Sequence, residues 1–190
     1  MNVSHAGNVY RPDLKLLQPE VQQYFVENLF SLAIKQKRTS TQITMDVLYN
    51  QLNTSEIPTL IDVLQENLPS VLWTTCYNDL DLPFNEEVRN TEIGHLFEHI
   101  LLEYLCQQKI AKGARAATYV GRTRWNWHRD PLGRFHIHLT CGKKDADILP
   151  SAIENSVSLM KTILGYNQPL FAHNPDLTMQ EGLKNGERRC

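Results

Sequence analysis

The sequence predicts an α+β fold in a single domain, and three observations predict it. From Thr91 to about Ala111 the apolar positions Ile93, Leu96, Phe97, Ile100, Leu101 and Leu105 keep a 3.6-residue rhythm, with Gly113 as a stop signal. Two short β-branched and aromatic segments, AATYVGRTRW and GRFHIHLTC, are joined by NWHRDPLG, whose Asp-Pro and Gly suggest a hairpin-like connection. Helical spacing then returns in DILPSAIENSVSLMKTILGY. In a chain of 190 residues, such a mixture calls for one core shared by helices and a small sheet.

The remaining elements are read in order. Residues 19–36 have the periodicity of an amphipathic helix opened by Pro19, although NLFSLAI equally suits a strand. TQITMDVLYNQL starts with β-type alternation and turns helix-like, and SEIPTLIDVLQENLP reads as a helix capped by Ser55 and ending before Pro69. Residues 74–90, rich in Asn, Asp and Pro, read as a loop, after which Asn90 or Thr91 can cap the long helix. Beyond Asn167 the polar, Pro- and Gly-punctuated chain reads as a frayed tail.

Composition narrows the function classes. Hydrophobic residues make up 42% and charged residues 21%, and no apolar run reaches the roughly 18 residues of a membrane-spanning helix. The N-terminus lacks the layout of a secretory signal, which makes the cytoplasm the expected location. A formal charge of −2 gives no basic field for nucleic acid or an anionic membrane. Four cysteines, widely spaced and without a CxxC pair, suit free thiols better than a disulfide framework or a thiolate zinc site, and no chemistry is assigned to them.

The chemistry concentrates in the long helix, at HLFEH. Residues four apart lie on one helix face about 6 Å apart along the axis, so His95 and His99 can offer two imidazoles to one zinc ion. Glu98, just before the second histidine, is placed to accept a proton from water activated by the ion, and H-x-x-E-H is the inverted zinc-peptidase pattern. The plain alternative is a helix carrying solvated His and Glu; against it, these residues interrupt an otherwise apolar segment, which is costly without partners. A third ligand is required. Glu103, four residues beyond His99, is the expected third group, as ligand or as support for a ligand imidazole; Glu154 in the later helix and His136 or His138 on the second strand are the alternatives. Arg122 and Arg124 alternate along a strand, opposite in facing to Trp125 and Trp127, and form a pair suited to holding carboxylates.

In order, these pieces resemble the N-terminal domain of cyanophycin synthetase. The likeness runs over residues 28–165, through NLFS, SEIPTLIDVLQENLPSV, Cys76, TEIGHLFEHILLEYLCQ, YVGRTR and GRFHIHLTC. It divides the chain into an extension at 1–27, the domain at 28–166 and a tail at 167–190. It implies that NLFSLAIKQK and TQITMDV are paired strands, so that a small antiparallel sheet packs against the motif helix and the helix near 150–164. It implies a domain that handles cyanophycin, a polyaspartate backbone with arginine joined to each β-carboxylate. In some members the domain is a zinc metallopeptidase that cuts the backbone to make primers; in others, lacking the metal motif, it only tethers polymer.

The retained motif favours cutting. By resemblance His95 and His99 are zinc ligands, Glu98 the general base, Glu103 ligand or support, and Arg122 and Arg124 polymer contacts. The ATP-grasp and Mur-ligase-like modules of full-length synthetases do not fit in these residues, so ligase activity is not expected. WNWHRDPLG and FHIHLTC depart from the family pattern, which bears on the substrate. The expectation is a zinc-dependent endopeptidase for cyanophycin or a related polymer, with homo-oligomerisation open. Its rivals are a non-catalytic polymer-binding module and a metallopeptidase for other peptides.

Overall fold

The structure is a computed structural model, and it describes residues 21–26, 28–48, 51–77 and 82–165, with the backbone of 186–189. Its frame is an antiparallel sheet of strands β1 (Val21–Val26), β2 (Phe30–Gln36), β3 (Thr41–Val47), β4 (Gly121–Trp125), β5 (Arg134–Leu139) and β6 (Gly186–Arg189), in the order β1-β2-β3-β5-β4-β6. Helices α1 (Leu60–Asn67), α2 (Phe84–Glu87), α3 (Ile93–Ala111) and α4 (Leu149–Gly165) complete the expected α+β fold. The extension and the tail both contribute strands, β1 and β6.

Strict alternation makes the sheet two-faced. Phe30, Leu32 and Ile34 of β2, Ile43, Met45 and Val47 of β3, and Phe135, Ile137 and Leu139 of β5 all turn inward and are buried. Against this face lie α3, which packs on β4 and β5, and α4 beside α3. Close approach is secured by Gly94 near the start of α3, where a Cβ would sit 2.4 Å from the Phe135 ring. At the far end Gly113, at φ 94°, stops the helix as expected.

Several local expectations are corrected. Residues 21–26 and 28–36 do not form a helix, residues 19, 20 and 27 lying outside the described residues; NLFSLAI takes its strand alternative, and β1 and β2 make a hairpin in which Ser31 and Ala33 alternate with the three apolar core positions of β2. Ser55 does not cap α1: Asn53 caps a 3-10 turn at Thr54–Glu56 by accepting from the Ser55 N–H, and α1 starts only after Pro58. Neither Asn90 nor Thr91 caps α3, whose N-cap is Glu92. The helix-like reading after TQITMDV also fails, since β3 ends at Val47 and residues 51 and 52 are irregular; residues 49 and 50 lie outside the described residues. The segment read as a loop before α3 contains α2, with residues 78–81 outside the described set.

Candidate metal centre

α3 is buried along its whole first half, so its polar residues cannot be a solvated face: His95 and Glu98 are 0% and His99 1% exposed. The two imidazoles lie edge to face, ring centres 4.8 Å apart. A 3-10 turn at Pro69–Trp73 and the segment after it run alongside, and they bring in a third group. Cys76 Sγ lies 3.6 Å from His95 Nε2. Taking one ligand atom from each of Cys76, His95 and His99, all lie within 4.8 Å of one another.

Threonines hold the far side of both rings. Thr91 Oγ1 is 2.8 Å from His95 Nδ1, and Thr74 Oγ1 is 2.9 Å from His99 Nδ1. Phe84 of α2 stacks on His99 at 3.5 Å between ring centres and 13° between planes, and meets His95 edge-on. Burial pushes the His99 imidazole down to about 4, against a smaller raising effect from the Cys76 side chain, so the ring is neutral at neutral pH, as a metal ligand must be. A soft thiolate and two imidazoles are a donor set that zinc accepts, and a spacing of this size suits bonds of about 2.0–2.3 Å around one ion. The residues present therefore fit a zinc ion.

Glu98 points elsewhere on the helix, onto β4. Thr123 Oγ1 donates a short hydrogen bond to Glu98 Oε2, and Gly121 presses so close that a Cβ there would lie 2.2 Å from Oε1. A side chain at this position would have to displace the carboxylate. The strand segment Gly-Arg-Thr-Arg thus divides by alternation: Gly121 and Thr123 face Glu98, while Arg122 and Arg124 emerge on the other side of the sheet.

That outer side carries a cavity of about 900 Å³. Its floor is two cross-strand rows, Gln42–His138–Arg122 and Thr44–His136–Arg124, set by the registers of β3, β5 and β4. Tyr77, one residue from Cys76 and 67% exposed, lines the same cavity. His136 pairs with Asp130 at 3.1 Å, and the neighbouring Arg134 holds Asp46 in a two-pronged ion pair.

The residues singled out in the sequence fall into these places. His95 and His99 come together as expected, while Glu98 of the same helix turns its carboxylate to Thr123 and Gly121 of β4. Glu103 is turned from the imidazoles to the surface of the Pro69–Trp73 turn, accepting from Ser70 at 2.6 Å and Gln107 at 3.2 Å. Glu154 is exposed on α4, where it lies near enough to Tyr24 of β1 to add to the effect of burial in raising that phenol. His136 and His138 share the outer face with Arg122 and Arg124. Cys76 is the residue that sequence reasoning left without chemistry; a lone thiol 19 residues from His95 has no ligand spacing, and its place within the stretch that carries the resemblance is the only signal it gives.

A family model described as Cyanophycin synthase-like N-terminal domain matches residues 42–165. The chain belongs to that family. The match spans β3 through α4 and so contains the three candidate ligands, Glu98 and the outer cavity of this cyanophycin synthase-like domain. No curated protein and no solved structure matches the chain. No helix among the described residues of the domain is long and apolar enough to cross a membrane.

Proposed function

We propose that this domain is a zinc-dependent endopeptidase acting on cyanophycin, with Cys76, His95 and His99 as the ligands. The observation that carries the reading is the convergence of three buried donor atoms within 4.8 Å, two of them from the helix that also carries Glu98, in a family named for cyanophycin synthase. An ion held there supplies Lewis acidity to the scissile carbonyl. Glu98 takes a proton from the attacking water and delivers it to the leaving amine as the C–N bond breaks, and Thr123 holds the carboxylate through its hydrogen bond. Arg122 and Arg124 leave the opposite face of β4, so they grip carboxylates of polymer flanking the cut rather than the reacting bond.

Incubation with purified cyanophycin tests this. Wild-type protein should generate new chain ends, a chelator should stop it, and Glu98→Gln should lower turnover about 10²–10⁴-fold while keeping its zinc. Unchanged cleavage by Glu98→Gln would remove the assigned base.

The outer cavity supports a second reading, a polymer-binding module without catalysis. Its lining offers two arginines and two histidines to the carboxylate that each arginine of the polymer carries. That reading expects polymer retention that survives chelation with no new ends.

A further inference from the structure

The glycines of this chain are hemmed in by different things. At Gly94 an added Cβ would strike the Phe135 ring, and at Gly142 the backbone of Arg38 and Thr39, which are matters of packing. At Gly121 the nearest atoms all belong to one ionisable side chain, Glu98, with Oε1 at 2.2 Å, Cδ at 2.7 Å and Cγ at 2.9 Å. The backbone there makes no demand for glycine, since among the described glycines only Gly113 and Gly133 have a positive φ. What the missing side chain provides is space for the carboxylate. Thr123, two residues on and on the same face of β4, is hydrogen-bonded to Glu98 Oε2. Glu98 is fully buried, so its carboxylate sits between a residue that grips one oxygen and a residue that makes room for the other.

We propose that Gly121 is a positioning residue for the proton-transfer step, its bare Cα forming the slot that seats the Glu98 carboxylate against Thr123. The slot is defined by contact alone; its catalytic purpose rests on the peptidase reading above. A carboxylate pushed aside by about 1 Å is a poor base, and a misplacement of that size can cost about 10²-fold in rate. Gly121 also borders the outer cavity, but an added methyl would point inward at Glu98, opposite to Arg122, and leave the polymer-gripping side chains as they are.

Gly121→Ala, Glu98→Asp and the double variant test this, with Gly165→Ala, where an added methyl meets open space, as the control. In zinc-free protein, shortening the acid should lower the melting temperature of the wild type and raise that of Gly121→Ala, each by about 2–4 °C. With zinc and cyanophycin, Gly121→Ala should keep its metal and its KM and lose about 10²-fold in kcat, while Gly165→Ala matches wild type in both assays. Melting shifts that simply add overturn the slot, and so does a Gly121→Ala protein with wild-type kcat. If Gly121→Ala fails to fold, Glu98→Asp must restore folding to it; a double variant that stays unfolded also overturns the slot. Wild-type protein that cuts no polymer rejects the peptidase reading and with it the catalytic purpose, whereas the melting temperatures decide the slot by themselves.

Discussion

Helix α3 buries His95, Glu98 and His99 in its first half, and at its far end Lys109 reaches across to the fully buried Asp145. The second cluster closes on itself through charge. Lys109 Nζ sits 2.8 Å from Asp145 Oδ1, and Tyr119 donates to the same oxygen at 3.0 Å, so cation, acid and phenol tie α3 to the segment before α4. Burial, then the bond to Asp145, pushes the Tyr119 phenol far up, which keeps it a donor. The first cluster gathers lone pairs instead: two imidazoles and a thiol turned toward one another, with hydroxyls behind the rings. An ion pair between a buried acid and a half-exposed lysine explains itself, whereas converging donor atoms make chemical sense around a cation. That contrast is why one end of the helix is read as a fastening and the other as a site.

The largest test of the contrast sets two thiols side by side. Cys76 lies against the imidazoles, while Cys141 sits near Asp145, where burial first and the acid second push its thiol up to about 12. A thiol held protonated is no metal ligand. Cys76→Ala should weaken zinc binding by more than about 100-fold, beyond the loss of an outer partner, and Cys141→Ala should leave it unchanged. Zinc content and chelator competition on both purified variants check this; equal retention by Cys76→Ala would place the ion elsewhere or nowhere.

Asp145→Ala should do the converse. It strips the fastening of its acid and leaves Lys109 and Tyr119 without their shared acceptor, so the melting temperature should fall by roughly 5 °C. Zinc stoichiometry should hold. A variant that melts normally but loses zinc would mean that the two ends of α3 are not separate devices.

These separations were only partly legible in the sequence. The long helix was, because its apolar positions repeat through 19 residues and no strand can satisfy that pattern. The same periodicity leaves residues 28–36 open between helix and strand, since Leu29 and Leu32 fit helical spacing while Phe30, Leu32 and Ile34 fit alternation; pairing with β3, which the resemblance implies, decides for the strand. Thr91 was read as a helix cap, which is a local role, whereas its hydroxyl is engaged by His95. Cys76 could not be placed by spacing at all, since the turn that delivers it is positioned by packing against α3 and α2.

The smallest expected effect bears on the third ligand. Helical spacing favoured Glu103 because it shares a face with His99, yet its Cα stands two turns from His95, about 12 Å along the axis. A side chain there can approach one imidazole but has to stretch to an ion shared with the other. The structure gives that carboxylate nearer partners in Ser70 and Gln107, on a partly exposed surface where a hydrogen bond contributes little. Glu103→Ala should therefore change zinc affinity by less than about twofold, well short of what loss of even an outer partner does. If Glu103→Ala released zinc and Cys76→Ala kept it, the helix would supply every ligand and the turn beside it would be a wall. The reverse result fixes the ligand set as two imidazoles from α3 and one thiolate from the segment that follows the turn.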